Sequence, residues 1–195
     1  NNQNTYFNCY VMPFIQDSRE GISDHRKEVM EIMSRGGGVG TNGSTLRPRN
    51  TLAKGVNGKS SGSVSWLNDV ASLTHLVSQG GTRRGAQMIL LADWHVDIVE
   101  FILSKMQNPN ILRYLIAHSK DASIIEEAKN KLKFTKLKPY EHELHEIGAQ
   151  SENAEVARRS KEILKDGGIY SVNNPDFLTG ANISVAITKE FMQAV

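Results

Sequence analysis

The sequence has 195 residues, with 23 Lys and Arg against 21 Asp and Glu, so its formal net charge is +2 at pH 7. A chain of this length can bury a sizeable core within one domain. The near-neutral charge gives no reason to expect sequence-independent binding of nucleic acid. The single cysteine excludes an internal disulfide and a cysteine-based zinc site. No run of 18 apolar residues and no signal-peptide pattern occurs, so we expect a cytoplasmic protein without a membrane partner.

Both ends of the sequence suggest that it is part of a longer protein. It does not begin with Met, and a strand-like run follows almost immediately, at residue 5. The final residues, 191–195, resemble the first turn of a helix. We therefore expect a larger parent protein.

The first elements along the chain are a strand and a helix. Residues 5–14 are apolar, aromatic and β-branched, which predicts a buried strand that contains Cys9. A free cysteine in such a strand is ordinarily a small buried hydrophobe. Asp17 and Ser18 then predict the N-terminal cap of a helix over 18–34. The apolar positions of this helix recur at helical spacing: Ile22, Val29, Ile32 and Met33.

A glycine-rich run follows this helix, at positions 36, 37, 38, 40 and 43. Such a run allows backbone amides to approach an anion closely. It matches neither the phosphate-binding loop with its Gly-Lys-Ser/Thr ending nor the dinucleotide-binding fingerprint. The spacing alone therefore leaves two explanations open, phosphate binding and a tight helix-to-strand turn. A short strand is predicted over 38–46.

The next segment, 47–62, is a long loop that carries Arg47, Arg49, Lys54 and Lys59. It is longer than a connection in a compact domain needs, which favours a binding loop. An amphipathic helix over 63–77, a second Gly/Arg loop over 78–86 and a strand over 87–92 follow. Residues 93–97 then lead into a helix that continues to about residue 106. His95 in this stretch is interpreted as a hydrogen-bonded structural residue.

Residues 108–168 differ from the rest because they are rich in Lys and Glu. Helices are predicted at about 110–117, 123–133, 139–147 and 152–165, and no internal repeat is evident. The spacing of His142 and His145 would permit metal binding, but a solvated helix face explains it better, and we predict no metal site. A strand over 182–187 and a helix from 188 end the chain. Strands that alternate with helices predict an α/β fold with parallel pairing.

Several motifs, in this order, resemble the catalytic subunit of ribonucleotide reductases. The motifs are Asn8-Cys9, Asp17-Ser18, Gly-Gly-Gly-Val-Gly at 36–40, Leu46-Arg47-Pro48-Arg49, Lys54-Gly-x-Asn-Gly-Lys-Ser-Ser-Gly62, Ser78-Gln-Gly-Gly-Thr-Arg-Arg-Gly-Ala86, Trp94-His-x-Asp-Ile-x-Glu-Phe101 and Gly180-Ala-Asn-Ile-Ser-Val185. The resemblance covers residues 5–107 and about 173–195. The amino-acid sequence of residues 82–88 is more similar to that of the adenosylcobalamin-dependent class II enzymes than to that of the class that uses a separate radical-generating subunit.

This resemblance implies a fold and a domain organisation. The chain would form part of the ten-stranded α/β barrel of these reductases, as a partial catalytic barrel domain over 1–195. The helical segment near 108–168 would be an insertion, and nothing is transferred to residues 108–172. The implied cofactor is adenosylcobalamin, whose contacts would lie mostly outside this chain.

The resemblance also implies roles at the substrate site. Cys9 matches the first cysteine of the redox pair that reduces the ribonucleotide, and a thioredoxin-type protein would be the reductant. Gly37 and Gly38 match backbone positions that line the substrate ribose, with Asn8 beside them.

A second implied site is allosteric and binds a deoxynucleoside triphosphate. Asp17, Ser18, Arg47 and Lys54 match this effector site, in which Asp17 would accept from the deoxyribose hydroxyl and the cations would pair with phosphate. The loop that connects effector and substrate would use Gln79, Gly80, Gly81, Arg83 and Arg84. In the family, the helices over 18–34 and 63–77 pack across a homodimer interface, although burial within one chain would give the same apolar pattern.

The chain lacks part of the chemistry that the resemblance requires. Cys9 is the only cysteine, so the radical cysteine and the second redox cysteine are both missing. We expect the isolated chain to be inactive. The alternative is a non-catalytic nucleotide-binding or dimerisation module, from a split or decayed reductase, in which Cys9 is a core residue. A third possibility is an unrelated phosphate- or RNA-binding α/β protein, which would bind in a strongly salt-dependent manner.

Overall fold

The structure is a computed structural model that describes residues 7–53, 58–79 and 83–195. It divides into two compact units: unit 1 comprises residues 1–105 and 176–195, and unit 2 comprises residues 106–175. Within the described residues, none of the helices combines the length and the apolar character needed to cross a membrane.

Unit 1 contains both strands and helices. Up to residue 105 the elements are, in chain order, β1 (Cys9–Val11), α1 (Arg19–Ser34), β2 (Gly38–Asn42), β3 (Leu52–Ala53), β4 (Gly58–Lys59), α2 (Ser63–Leu76), β5 (Ser78–Gln79), β6 (Arg83–Arg84), β7 (Gln87–Ala92) and α3 (Ile98–Ser104). Unit 2 contains α4 (Pro109–His118), α5 (Ala122–Lys131), β8 (Leu132–Lys136), α6 (Pro139–Gly148), α7 (Ala154–Asp166) and β9 (Gly168–Val172). The chain then returns to unit 1 with β10 (Asn182–Ala186) and α8 (Lys189–Ala194).

The centre of unit 1 is a four-stranded parallel sheet in the order β1-β2-β7-β10. One face is covered by α1, α2 and α3. Two larger clusters of buried side chains lie on this side, Met12, Val29, Met33, Val39, Val70 and Leu73 in one and Val64, Leu67, Ala71, Ile89, Leu91, Phe101, Leu178 and Ala181 in the other. A smaller cluster contains Ile15, Ile22 and Leu46. The opposite face is more open, since Val11 and Met88 on it are 93% and 46% exposed. This arrangement agrees with the predicted α/β fold.

Helix α1 forms where the sequence predicts it. The Ser18 side chain caps it by accepting a hydrogen bond from the Gly21 amide at 3.0 Å. Its apolar stripe, represented by Val29 and Met33, packs on β2 and α2. The stripes of α1 and α2 are therefore buried within this chain, and they give no separate argument for a dimer.

The prediction of a buried strand over residues 5–14 is wrong. Among the described residues of this range, 7–14, only Cys9–Val11 form a strand, and both Cys9 and Val11 are exposed. The reason is topological: within the part of the chain that the structure describes, β1 lies at the edge of the sheet, pairs only with β2 and has no helix on its open side. The exposure of Cys9 also contradicts its interpretation as a core residue.

Most other boundaries in unit 1 follow the prediction. Strands β7 and β10 lie within one residue of the expected ranges. Strand β2 ends earlier than expected, at Asn42, whose side chain accepts from the Ser44 amide and turns the chain. Each Gly/Arg loop contains a short antiparallel ladder that the sequence does not predict, β3–β4 in the first and β5–β6 in the second.

Unit 2 has four helices close to the predicted positions and an antiparallel β8–β9 pair that the sequence analysis missed. The helix predicted over 123–133 ends at Lys131, because the chain then enters β8. The order helix–helix–strand occurs twice, so the topology has a repeat that the sequence does not reveal. His142 pairs with Glu146. In the described ranges, no group of three or more His, Cys, Asp or Glu side chains could hold a metal ion.

Candidate functional site

The exposed thiol of Cys9 lies beside a strand segment that has no side chains on the open face. Cys9 pairs in register with Gly38, and a Cβ atom placed on Gly38 would lie 3.5 Å from the Cys9 Sγ. The Asn8 carbonyl accepts from the Gly38 amide at 2.7 Å. Gly40 is the next residue of β2 on this face. A ligand can therefore approach the backbone of β2 next to the thiol.

Gly37 has a different environment from Gly38. A Cβ atom on Gly37 would lie 2.6 Å from Ile32 Cγ2 and 2.9 Å from the Tyr10 ring, on the side of α1. Gly36 has a φ of 93°. These two glycines form the tight turn between α1 and β2, which was one of the two explanations for the glycine run. The structure brings Asn8, Cys9, Gly37 and Gly38 together, and a role of Gly37 at the substrate remains a prediction.

A cleft of about 600 Å³ lies beyond the opposite, carboxyl ends of β1 and β2. Its walls are the start of α1, the chain after β2 and the start of α2. The lining residues are Asp17, Ser18, Arg19, Ile22, Leu46, Arg47, Ala53, Lys59, Ser60, Ser61 and Trp66. Three of the four predicted effector residues, Asp17, Ser18 and Arg47, thus share one cleft. Lys54 lies outside the described residues.

Asp17 and Arg47 form an ion pair in this cleft. The Arg47 Nε donates to both carboxylate oxygens of Asp17 at 3.0 and 2.8 Å, and an Arg47 Nη donates to the Asp17 carbonyl at 3.1 Å. Both side chains remain one third exposed. The guanidinium is thereby fixed in orientation while it keeps donors available for a ligand.

The rest of the cleft favours an anion with an apolar part. Arg19 and Lys59 add two cations, so the lining carries three cations against the single carboxylate of Asp17. The N-terminus of α1 contributes a partial positive charge. Trp66 offers a ring that is 37% exposed. Among Arg19, Lys59 and Trp66, only Lys59 could be singled out from the sequence, as one of the loop cations.

His95 has the structural role that the sequence analysis assigned to it. It is 4% exposed, its Nδ1 accepts from the Asp97 amide at 3.0 Å, and its Nε2 lies 2.9 Å from the Leu46 carbonyl. Since Nδ1 accepts, Nε2 carries the proton and donates to Leu46. The residue therefore ties the end of β2 to the segment before α3.

The predicted connecting loop lies at the other end of the sheet from the cleft. Gly80 and Gly81 are outside the described residues, while the backbones of Gln79, Arg83 and Arg84 belong to the β5–β6 ladder. This ladder immediately precedes β7 and so lies at the amino ends of the strands, which is also the end of the sheet that carries Cys9. At about 3.3 Å per residue, the five residues of β2 separate the two ends by roughly 16 Å.

Among the described residues of unit 1, two titratable groups have shifted pKa values. Burial lowers the pKa of His25 below its ordinary value of 6.5, and Glu28 opposes this shift only in part. The His25 Nε2 lies 3.1 Å from the Thr41 Oγ1, beneath β2. The pKa of Asp93 is lowered chiefly because its carboxylate accepts from the Thr188 amide at the start of α8. Neither group faces the cleft, and both are structural.

Comparison with known protein families decides the identity of the fold. The model of the ribonucleotide reductase barrel domain matches residues 7–195. The chain belongs to the ribonucleotide reductase barrel family. The match includes unit 2, to which the motifs of the sequence analysis did not extend, and it confirms the expected α/β barrel class.

Individual reductases match about half of the chain. This chain is 40% identical over 104 residues to a vitamin B12-dependent ribonucleoside-diphosphate reductase of Thermoplasma acidophilum, and the alignment covers 53% of this chain and 13% of that protein. A Mycobacterium tuberculosis protein of the same name is 38% identical, over 53% of this chain and 15% of its own length. The ribonucleoside-diphosphate reductase large chain of Cryptosporidium parvum is 36% identical over 95 residues, 48% of this chain and 12% of its own length.

A solved structure of the same family also aligns with the chain. The Actinobacillus ureae class Id ribonucleotide reductase alpha subunit aligns with a TM-score of 0.42 and 25% identity, over 49% of this chain and 16% of that chain. The chain spans only 12–15% of the length of the curated relatives named above.

Proposed function

We propose that this chain is part of the catalytic barrel of a ribonucleotide reductase, in which it contributes one redox cysteine, part of the substrate pocket and the allosteric effector site. The observation that carries the proposal is the exposed Cys9 thiol beside the bare backbone at Gly38, in a chain of this family. A buried thiol could not reach a nucleotide. The names of the relatives support a ribonucleoside diphosphate as substrate.

Cys9 would act as one of two thiols. Replacing the 2′-hydroxyl of a ribonucleotide by hydrogen releases water and consumes two electrons and two protons. Two thiols supply these when they close a disulfide, which a thioredoxin-type dithiol then reduces. Because Cys9 is the only cysteine of the 195 residues, the second thiol and the radical cysteine must come from elsewhere in the protein. The isolated chain would therefore bind nucleotides without reducing them.

Adenosylcobalamin is the proposed source of the radical, since two of the relatives are named vitamin B12-dependent. The Cryptosporidium relative has no such name, so the family alone does not require this cofactor. We place its contacts mostly outside these residues. The contribution of this chain is the thiol of Cys9 and the backbone of β2, which position the ribose.

The cleft beyond β1 and β2 would hold a deoxynucleoside triphosphate effector. Arg47 and Lys59 would contact the phosphates, together with Lys54 from the same loop. Asp17 would accept from the 3′-hydroxyl of the deoxyribose, for which it must share its carboxylate with Arg47. Ser18 caps α1 and so presents the helix N-terminus to the ligand.

The position of the connecting loop supports a homodimer. Within one chain, the cleft and the β5–β6 ladder lie at opposite ends of the sheet. One nucleotide in the cleft of a protomer could contact that loop most directly if the loop came from a second copy. We propose that the effector binds between two subunits, with Gln79, Arg83 and Arg84 of the loop as the residues that respond to its base.

The test is an assay of the full protein that contains this chain. We expect it to convert ribonucleotides to deoxyribonucleotides with a dithiol reductant, and the four deoxynucleoside triphosphates to change which ribonucleotide is preferred. Turnover should require adenosylcobalamin. Triphosphate binding without any turnover would instead indicate the non-catalytic module, and the absence of binding would refute both assignments.

A further inference from the structure

A buried carboxylate, Asp97, closes the loop that forms one wall of the cleft. Between Arg49 and Ser63, four residues of this loop line the cleft: Ala53, Lys59, Ser60 and Ser61. Asp97 itself is 6% exposed and lies outside the lining residues, at the start of α3. Its effect on a ligand would therefore be exerted through the loop.

The carboxylate of Asp97 joins the two ends of the loop. At the first end, the Arg49 amide donates to both oxygens at 3.1 Å. At the second end, the Ser63 amide and the Ser63 hydroxyl both donate to one oxygen at 3.0 Å. Arg49 and Ser63 are 14 positions apart in sequence. The buried carboxylate of Asp97 therefore holds together two residues that are distant along the chain.

The backbone at this point is tightly packed. Gly62 has a φ of 92°, and a Cβ atom on it would lie 2.8 Å from the Arg49 Cβ. Just inside the loop, the Asn50 amide donates to the Ser60 carbonyl and the Ser60 amide donates to the Thr51 carbonyl, at 2.9 and 2.8 Å. We call Arg49, Gly62 and Ser63 the neck of the loop. Arg47 lies only two residues before it.

We propose that Asp97 is a positioning residue for the effector: by closing the neck, it holds Lys59 and Arg47 in the arrangement that binds a triphosphate. The inference rests on the proposed effector site. A preorganised cleft binds more tightly because the ligand does not have to order the loop. A carboxylate suits the position because it offers two acceptor oxygens to three donors, and because these oxygens accept from Ser63 at the N-terminus of α2.

Replacing Asp97 by Asn gives a test in which two effects have opposite signs. The substitution removes one negative charge, which by Coulomb attraction alone would strengthen the binding of a polyanion. It also replaces one acceptor oxygen by an NH₂ group that faces the donors of the neck. If Asp97 positions the loop, deoxynucleoside triphosphates should bind about tenfold more weakly to D97N, because small displacements of binding groups are costly.

A matched control is available in the same segment. Asp93 also accepts from a backbone amide and a hydroxyl, both of Thr188, at 2.7 and 2.9 Å, but it orders α8 and not the loop. We expect D93N to lower the melting temperature with less than a twofold change in the dissociation constant. A purely structural role of Asp97 would make the two variants behave alike.

Two further variants keep the test decisive if D97N does not fold. Ser63→Ala removes one hydroxyl donor and should weaken triphosphate binding about threefold, the order expected for a single hydrogen bond. Gly62→Ala leaves every charge in place but forces the neck apart, and it should also weaken binding. Hydrogen exchange of the Arg49 and Ser63 amides should become faster in D97N and unchanged in D93N.

Calorimetry with the full protein and each of the four deoxynucleoside triphosphates separates the possible outcomes. No binding by the unsubstituted protein would overturn the effector site, and this inference with it. Normal binding by the unsubstituted protein, with equal or tighter binding by D97N and S63A, would overturn only the role of Asp97. Weaker binding by D97N and S63A but not by D93N is the result that we expect.

Discussion

The two ends of the parallel sheet in unit 1 are constructed from different chemical groups. At the amino ends, Cys9 and Gly38 present an exposed thiol and bare backbone on the open face. At the carboxyl ends, Asp17, Arg47 and Lys59 surround a cleft with charged side chains. Bare backbone permits close approach, whereas charged side chains provide affinity. We therefore expect changes at the amino ends to affect turnover and changes at the carboxyl ends to affect binding.

The largest expected effect is a loss of turnover, caused at the amino ends of the strands, without a change in effector binding at the carboxyl ends. In the full protein, Cys9→Ser should abolish turnover with a thioredoxin-type reductant, because the serine hydroxyl cannot form a disulfide. Effector binding should be unchanged, since the cleft lies at the other end of the sheet. Steady-state assays and calorimetry on the same sample measure both properties. Sustained turnover would show that Cys9 is not a redox residue.

The second prediction concerns the opposite end. Arg47→Ala should weaken the binding of deoxynucleoside triphosphates by about 1.5–3 kcal/mol, the range for a charge-assisted hydrogen bond. Turnover at saturating effector should be retained. Arg35→Ala is the matched control, because Arg35 forms an exposed ion pair with Glu31 at the other end of α1. Equal affinity of the Arg47 variant and the control would refute the assignment of the cleft.

A smaller effect, at Asp17, should distinguish the contribution of the effector's phosphates from that of its sugar. In Asp17→Asn, Arg47 loses its charged partner, and inorganic tripolyphosphate should bind more tightly by about 0.5–1 kcal/mol, as expected for a partly exposed pair. Deoxynucleoside triphosphates should gain less or lose affinity, because the acceptor for the 3′-hydroxyl is weakened. Competition binding measures both. Parallel changes for the two ligands would mean that Asp17 does not contact the sugar.

The smallest expected effect concerns His25, which is buried beneath β2 and belongs to neither end of the sheet. Because burial lowers the pKa of His25, the unfolded chain binds a proton near pH 6.5 that the folded chain still excludes. The free energy of unfolding should therefore fall as the pH drops through about 6.5, until the lower folded pKa is reached. His25→Gln should reduce this slope. Denaturant titrations of the unsubstituted protein and of His25→Gln at several pH values measure the two slopes, and equal slopes would contradict the assignment to His25.

Much of unit 1 could be predicted from the sequence because its elements have local signals. The cap at Ser18 and the spacing of Val29 and Met33 define α1, and the apolar run 87–92 defines β7. The edge position of β1 could not be predicted, since an apolar run does not show how many neighbours a strand has. The β8–β9 pair was missed for a related reason, because Phe134 and Tyr170 pair across 36 positions of sequence.

The candidate site was predictable only in part. Asp17, Ser18 and Arg47 came from the resemblance to the family, and the structure places them in one cleft. No spacing rule connects Asp17 to Arg47, which is 30 positions away. Trp66 appeared only as part of a helix, and Asp97 only as part of a motif. Their positions at the cleft and at the neck follow from the way that distant segments pack.

The edge position of β1 has a practical consequence for handling the isolated chain. Phe7, Val11 and Phe14 are 70%, 93% and 65% exposed along and beside a strand whose outer side has no described partner strand. An uncharged, apolar strand edge can pair with another molecule. We therefore expect the isolated 195 residues to self-associate as concentration rises, and a lysine substituted at Val11 to keep the chain in solution.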